Sequence, residues 1–441
     1  MLPRNLYILL LTPLLSFGQG PMNGYGLGNI QTWRFPSQGG MTSLGLIPSF
    51  HKGVSLMNPS TWPQLKYTYL SIAYNGLESN LTNLNARNGF SSIQSGQLLV
   101  PIKKLSALGI SIHPYTYQQV ALSDTIYPDM LAFGDTLDIQ RRYDQAGGIM
   151  ALNFSASMTV FKDARIGASL QLLFGSSRQH EKLLLDQIPI TETSRMSYSG
   201  LNAELFLHRS FSRAFDIYIH LGIPIEPLDA IYTNLHPFDD TNKNAYHDYT
   251  YNFLNPGYDF PHPQDVPKAE QIRIKDIYEP ASIAIGLSGL LTDRLQLSIE
   301  TKNEKDFADY PIDFPIILNQ RINNKHVTSV GLIWFSNDLS TQFSDKFSIR
   351  SGLTYKSYIT DSWDADQNNR IENIDPITEV GGALGFGFKF KAVGNQIDVS
   401  YYYGIRIHPL TFVGDFGEER IQELQVGISL ADLWFVRRRQ R

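Results

Sequence analysis

Apolar and polar residues alternate with a period of two in about fourteen segments of this chain. The clearest segment is 397–407, where every odd position is apolar or aromatic and the even positions are mostly polar or small. Successive side chains of a β-strand point to opposite faces. The segment therefore predicts a strand with one apolar and one polar face. The same alternation recurs at 295–302 and, with one interruption, at 347–356.

The connections between the alternating segments differ systematically in length. Strands are predicted near 65–75, 90–100, 106–121, 140–160, 164–177, 195–208, 215–223, 281–291, 293–303, 326–336, 345–357, 379–391, 395–408 and 420–433. The connections after even-numbered strands are mostly short, as at 161–164. Those after odd-numbered strands are mostly longer, and 224–279 is the longest. Short turns at one end and long loops at the other are typical of outer-membrane barrels.

We therefore predict an all-β fold, a transmembrane antiparallel β-barrel of about 14 strands in the outer membrane of a Gram-negative cell. The apolar rows predicted to face lipid carry no charge, as hydrocarbon requires; one of them contains Phe386. The opposite faces carry residues of both signs, which we predict to form a polar network in the lumen: Glu204, Glu300, Arg350, Asp398 and Arg406. A soluble β-protein is the alternative, but it has no reason to sort its loops by length.

The N-terminus has the features of a secretory signal. Arg4 precedes an apolar run over 6–15, and small residues at 16 and 18 predict cleavage near residue 19. We divide the chain into a signal peptide (1–18), an N-terminal segment (19–64) and the barrel (65–441). The chain has no cysteine, which excludes a lipoprotein anchor and thiolate metal sites. Its net charge of −5, with mixed signs, gives no indication of a nucleic-acid partner.

Residues 19–64 lack alternation and are rich in Gly, Pro, Ser and Asn, but they are too apolar for a simple linker. They end with Asn58, Pro59 and Ser60 shortly before the first strand. In this arrangement the chain resembles the FadL-type family of outer-membrane fatty-acid transporters. The resemblance implies an N-terminal hatch inside the barrel, with Asn58-Pro59-Ser60 in place of the family's Asn-Pro-Ala.

The resemblance also implies a function, namely porin-like, passive uptake of small hydrophobic molecules such as fatty acids. The expected partners are then outer-membrane lipid and a hydrophobic small molecule. The same architecture serves shuttle-like proteins of the type IX secretion system. A protein-interaction role in a secretion or surface-attachment system, with secretion proteins as partners, is therefore the alternative.

One loop resembles a calcium-binding EF-hand loop. Its oxygen ligands would come from Asp364, Asp366, Asn368 and Asp375, together with the backbone carbonyl of Arg370. Asn replaces the turn glycine and Asp replaces the final glutamate, so a solvated acidic turn is the alternative. We predict no other cofactor.

The long loop 224–279 contains three histidines, His236, His247 and His262, without the spacing of a zinc site. It also contains many aromatic residues and prolines, which predict either an external landing groove for an apolar ligand or a self-packed cap. Ser111 and His113 share one face of a strand, but such spacing alone is no evidence of a catalytic pair, which also needs an orienting third group. We therefore predict that the protein is not an enzyme.

Overall fold

The structure is a computed structural model. It describes residues 20–432 except 84–85, 104–105, 125–129, 133–134, 138, 186–187, 213–214, 240–246, 248–258, 263–264, 268, 309–319, 338–341, 365–368, 373–374, 391–394 and 410–416. The predicted signal peptide and the residues after 432 lie outside the described part.

A closed antiparallel barrel of fourteen strands forms the body of the protein, as the alternation predicts. The strands are β1 (Thr68–Leu81), β2 (Ala86–Lys103), β3 (Ser106–Tyr117), β4 (Ile139–Phe161), β5 (Ala164–Leu185), β6 (Ile188–Ser210), β7 (Phe215–Asn234), β8 (Pro280–Leu290), β9 (Leu295–Asp306), β10 (Gln320–Trp334), β11 (Phe347–Asp364), β12 (Ile377–Lys389), β13 (Gln396–Ile407) and β14 (Glu418–Asp432). The barrel closes because β14 pairs with β1 along its whole length, from Thr68↔Asp432 to Leu81↔Glu419.

Shorter elements complete the fold. Additional strands span Asn29–Ile30, Val120–Asp124, Met130–Ala132, Asp135–Leu137, Phe238–Asp239, Glu270–Tyr278 and Asn369–Glu372. One α-helical turn spans Pro36–Gly39, and 3₁₀ turns span Pro21–Gly24, Pro59–Gln64 and Phe343–Lys346. In the described residues, no helix has the length and apolar character needed to cross a membrane.

Several strands continue beyond their predicted ends, and the longest extensions lie on the long-loop side. Residues 178–194 are predicted as a loop, but apart from 186–187 they extend the β5–β6 ladder as far as Leu185↔Ile188. This extension is polar on both faces, as in Gln179-His180-Glu181-Lys182. Beyond the hydrocarbon layer of the membrane, both faces of the strand meet water. The period-two alternation therefore disappears there, although the strand itself continues.

The two faces of the wall have the polarity that the alternation predicts. On β12, Leu384 is 67% exposed and Phe386 is 46% exposed, while the glycines between and beside them are buried. The outward rows are apolar and therefore suited to lipid. One inward position is tighter than its sequence indicates. A Cβ on Gly387 would collide with Ser348 Oγ, so a larger residue there requires the Ser348 side chain to move.

Candidate functional site: the plugged lumen

Residues 20–64 lie inside the barrel; we call them the plug. Most of them are buried, including Trp33, Met41 and Phe50. The plug starts beside Glu419, at the long-loop end of β14. Gly20 lies so close to that carboxylate that a Cβ on it would collide with the carboxylate. It ends at Gln64, just before β1 begins at the short-turn end. The plug therefore runs the length of the lumen.

Polar side chains of the wall hold the plug through its backbone carbonyls. The donors lie on β2, β10 and β11, and the donor–acceptor distances are 2.6–2.9 Å: Gln94 to Trp33, Ser95 to Arg34, Gln97 to Leu56, Lys325 to Ile30 and Arg350 to Ser49. Irregular backbone has no partners of its own. It can be buried only where side chains satisfy its polar groups, and the inward rows of the barrel provide these side chains.

Glu300 is the main acceptor for the plug. Its carboxylate accepts hydrogen bonds from the backbone N–H groups of Leu44 and Ile47, the latter at 2.7 Å, and from Ser43 Oγ at 3.0 Å. The carboxylate is buried, and a buried charge is stable only when hydrogen bonds or opposite charges compensate it. Glu300 thus fixes the loop 43–47 against β9.

Asn58, Pro59 and Ser60 form the last bend of the plug. The Asn58 side chain accepts from Ser60 N at 3.0 Å and donates to the Leu46 carbonyl at 2.8 Å. It therefore caps the 3₁₀ turn Pro59–Gln64 and ties it to the preceding loop. The turn touches the wall at Gly167 of β5, where a Cβ would lie 2.6 Å from Ser60 N. A glycine is required there because the plug backbone passes so close.

The other luminal residues singled out from the sequence take part in ion pairs. Arg350 contacts Asp398 at 2.7 Å, and both are buried. Arg406 bridges two carboxylates, Glu379 at 2.7 Å and Glu419 at 2.8 Å. Glu204 faces the ring of His220, with Glu204 Oε1 3.6 Å from His220 Nε2.

The Arg406 group continues into the plug. Lys356 pairs with Glu379 at 2.8 Å and lies 4.3 Å from the centre of the Trp33 ring. The Trp33 ring packs edge-to-face on Tyr402, whose hydroxyl donates to Glu379. Sequence reasoning missed Lys356, Glu379 and Glu419, although all three lie on inward parity and carry charge. Their inward parity and their charge could have identified them as members of the luminal network.

Strand β3 leaves the wall part of the way along. Its ladder with β2 is described from Lys103↔Ser106 to Gly96↔Ile112. Beyond Ile112 all residues from His113 to Tyr117 are buried, so neither face of the strand meets lipid. Pro114 lies at the start of this bend and cannot donate a ladder hydrogen bond. The upper part of β3 is therefore bent into the lumen, a feature missed from the sequence despite the proline.

The plug takes the place of β2 beside the bent segment. Asn29 pairs with Tyr117 and Ile30 with Thr116. On the β2 side, the Tyr117 ring contacts Phe90 edge-to-face, and its hydroxyl lies 3.0 Å from Ser92 Oγ. Among the described residues, side chains and plug thus replace the β2–β3 ladder above Gly96. We call this break in the wall the side gap.

An apolar cluster lies inside the barrel next to the side gap. It combines Leu27 of the plug and Tyr115 of β3 with inward residues of β4 to β7 and of the strand before β8: Ile149, Ala151, Leu173, Met196, Tyr198, Leu228, Ala230, Ile277 and Tyr278. Most inward residues elsewhere in the barrel are polar. The cluster therefore supplies an apolar environment inside the lumen on the long-loop side.

The cavities between plug and wall differ greatly in size. Three that the described residues enclose have volumes of about 20, 10 and 20 Å³, room for little more than a water molecule. A larger cavity of about 880 Å³ opens at the short-turn end, between the plug and the β4–β5 and β6–β7 turns. We call it the periplasmic basin.

His51 of the plug lines the basin. Its ring packs against Phe50 and Tyr69, and neither ring nitrogen has a hydrogen-bond partner among the described residues. Burial lowers the pKa of His51 well below its usual value, and the nearby charges of Lys389 and Arg350 lower it further. The ring is therefore neutral at pH 7.

The calcium prediction is only partly covered by the structure. Asp366 and Asn368 lie outside the described residues, and Asp375 is exposed. Asn369–Glu372 pairs with the end of β11, from Asp364↔Asn369 to Asp361↔Glu372, so this part forms an antiparallel hairpin. Such pairing differs from an open EF-hand loop. Calcium binding stays a prediction.

Most aromatic residues of the long loop also lie outside the described residues, as in 248–258. The histidines there have local contacts instead of a shared centre. His247 stacks on Phe238 at 4.6 Å and its Nε2 lies 2.6 Å from the Pro261 carbonyl. His236 contacts the carbonyl of the following proline. These contacts are of the kind expected for a self-packed loop.

Comparison with known proteins identifies relatives of this fold. A family model described as BamG matches residues 6–440. Comparison with curated protein sequences finds no match.

Solved structures resemble the barrel at low sequence identity. A FadL homologue of Pseudomonas aeruginosa is 13% identical, with a TM-score of 0.56, over 91% of this chain and 98% of the other. A TodX mutant, described as a monoaromatic hydrocarbon channel, is 12% identical, with a TM-score of 0.54, over 90% and 98%. The CymD monoaromatic hydrocarbon channel is 13% identical, with a TM-score of 0.51, over 95% and 98%. The fold is thus that of FadL-type outer-membrane barrels. The comparisons give no support to the type IX secretion part of the resemblance.

Proposed function

The chain belongs to the BamG family, and from the geometry of its barrel we propose that it is a passive outer-membrane pathway for small hydrophobic molecules. The observation that carries this proposal is the inward bend of β3 at Pro114. The bend breaks the wall of the barrel and places the side gap against the apolar luminal cluster. A barrel that served only as a rigid support would gain nothing from breaking its own ladder.

Polarity supports a sideways route. A hydrophobic molecule that crosses the lumen from end to end would meet the buried ion pairs of Arg350 and Arg406. Burying apolar surface in the cluster would stabilise the bound molecule by about 25 cal/mol per Å² before ordering costs. Solved barrels of the same fold are described as monoaromatic hydrocarbon channels, which adds support.

A reversible lock on the side gap tests this function. The natural chain has no cysteine, so a single disulfide can be introduced at Ile30→Cys/Thr116→Cys, which joins register partners of the plug and β3. The control disulfide, Thr301→Cys/Thr328→Cys, joins register partners of β9 and β10 in the intact wall, whose hydroxyls are 3.3 Å apart.

Uptake of labelled toluene and oleate is measured in intact Gram-negative cells, whose lipopolysaccharide leaflet is the barrier. The lock should reduce barrel-dependent uptake at least tenfold, and a reducing agent should restore it, while the control disulfide has no effect. Uptake that does not depend on the barrel, or that the lock leaves unchanged, would contradict the proposal.

A second function is favoured by a different observation. In the described part of the lumen the plug is hydrogen-bonded to β2, β9, β10 and β11 of the wall, and the enclosed cavities are small. A closed barrel of this kind suits a protein-interaction component of a secretion or surface-attachment system. Purification from native outer membranes with a stoichiometric partner, together with uptake that is indifferent to the lock, would favour this function.

A further inference from the structure

The hydrophobic pathway does not explain the periplasmic basin. It has a volume of about 880 Å³, within the range of ligand pockets. The plug forms one side of it near Lys52, and the chain just before β1 adds Lys66. The turn between β4 and β5 and the start of β5 form the other side, with Lys162 and Arg165.

Positive charge dominates the ionisable lining of the basin. Among the described lining residues, the four cations face two carboxylates, Asp163 and Asp216. Asp216 Oδ1 is 3.4 Å from His208 Nε2, so this carboxylate already has a partner. Lys66 and Lys162 are exposed and form no ion pair with any described residue. The basin therefore attracts negative charge.

The position of the basin restricts what can enter it. It opens at the end where the strands are joined by short turns, which is the periplasmic side of an outer-membrane barrel. It lies inside the ring of strands, so the headgroups of the surrounding lipid leaflet stay outside it. An extended peptide can enter from the periplasmic side. The charged lining of the basin makes it a poor site for an apolar molecule.

We propose that the periplasmic basin binds an acidic segment of a periplasmic protein. Carboxylates of the segment would pair with Lys66 and Lys162 and with the cations beside them. Because Lys52 belongs to the plug and Lys162 and Arg165 to the wall, a bound segment would contact both and tie them together. This inference goes beyond the hydrophobic pathway and does not depend on it.

The test uses the full-length mature chain in detergent and a fluorescein-labelled hexaglutamate peptide as probe. Fluorescence anisotropy at low salt should show saturable binding that weakens as salt is raised, because exposed charges are screened. Lys66→Glu/Lys162→Glu should weaken binding at least tenfold. The matched control, Lys275→Glu/Lys305→Glu, changes the net charge equally at exposed lysines on the long-loop side.

Heat-modifiable migration on gels, which compares heated with unheated samples, establishes that each variant is folded. Three results would overturn the proposal. The first is no saturable binding of the peptide. The second is equal weakening by the control variant, which would show attraction to net charge alone. The third is displacement of the peptide by inorganic phosphate at the same concentration of charge, which would show a site for small anions only.

Discussion

Glu300→Ala should release the loop 43–47 of the plug from the wall without unfolding the barrel. Glu300 accepts hydrogen bonds from Leu44 N, Ile47 N and Ser43 Oγ. Its own strand is held by complete ladders to β8 and β10, which the substitution leaves intact. The change therefore acts on the loop 43–47 alone.

The magnitude follows from the three donors that lose their acceptor. A buried donor without a partner costs about 1–3 kcal/mol. Water can replace part of the carboxylate in the space that alanine leaves, so the low end applies to each donor, giving about 3 kcal/mol in all. Since about 1.4 kcal/mol corresponds to a factor of ten, the population in which the loop 43–47 is displaced should rise by about a hundredfold.

Single-channel recording in planar bilayers measures that population as the frequency of ion-conducting openings. Glu423→Ala is the matched control, because Glu423 is a buried luminal glutamate that is hydrogen-bonded by wall residues, Gln425 of the same strand and Asn75 of β1. Glu300→Gln keeps one acceptor oxygen and should give an intermediate frequency. If Glu300→Ala opens no more often than Glu423→Ala, this carboxylate does not hold the plug.

Three further predictions concern the wall, the orientation and pH. Phe386→Arg should destabilise the barrel by about 2–4 kcal/mol near the bilayer centre, whereas Phe386→Leu should cost less than about 1.5 kcal/mol; similar losses in a urea refolding titration would refute the lipid-facing assignment. A protease site inserted in 224–279 should be cut on intact cells and one in 161–164 should not; the reverse result would invert the barrel. His51 has a lowered pKa in the folded protein, so its contribution to the free energy of unfolding is fully present above about pH 6.5. Below that pH the contribution falls by up to about 1.4 kcal/mol per pH unit, because the unfolded chain takes up a proton that the folded protein does not. His51→Gln should remove that part of the slope in unfolding titrations from pH 7.5 to 5.5, and an unchanged slope would show that His51 is not its source.

The strands were predictable because the information for them is local. Period-two alternation needs only neighbouring residues, and in a barrel one parity meets lipid while the other meets the lumen. The rows around Leu384 and Phe386 on β12 therefore show both the strand and its outward face. Where both faces meet water, as at 178–185, the same signal vanished and the strand was missed.

The location of the polar residues was also predictable, but their partners were not. Inward parity placed Glu300 and Arg350 in the lumen. Nothing in the sequence near them indicates that Glu300 holds Ser43, 257 residues earlier in the chain, or that Arg350 holds the Ser49 carbonyl, 301 residues earlier. Such contacts exist only after the barrel has closed around the plug.

The sequence by itself thus determined the barrel, its strand number and its two faces, since each strand encodes its own alternation. Only the tertiary structure decided the path of the plug, the side gap and the periplasmic basin. Pro114 limits the ladder of β3, but the direction of the bend depends on Asn29 and Ile30, which pair with the bent strand from inside the lumen. The basin exists because the plug and the turns, which are distant in sequence, leave a space between them. No pattern in the sequence indicates a cavity between distant segments.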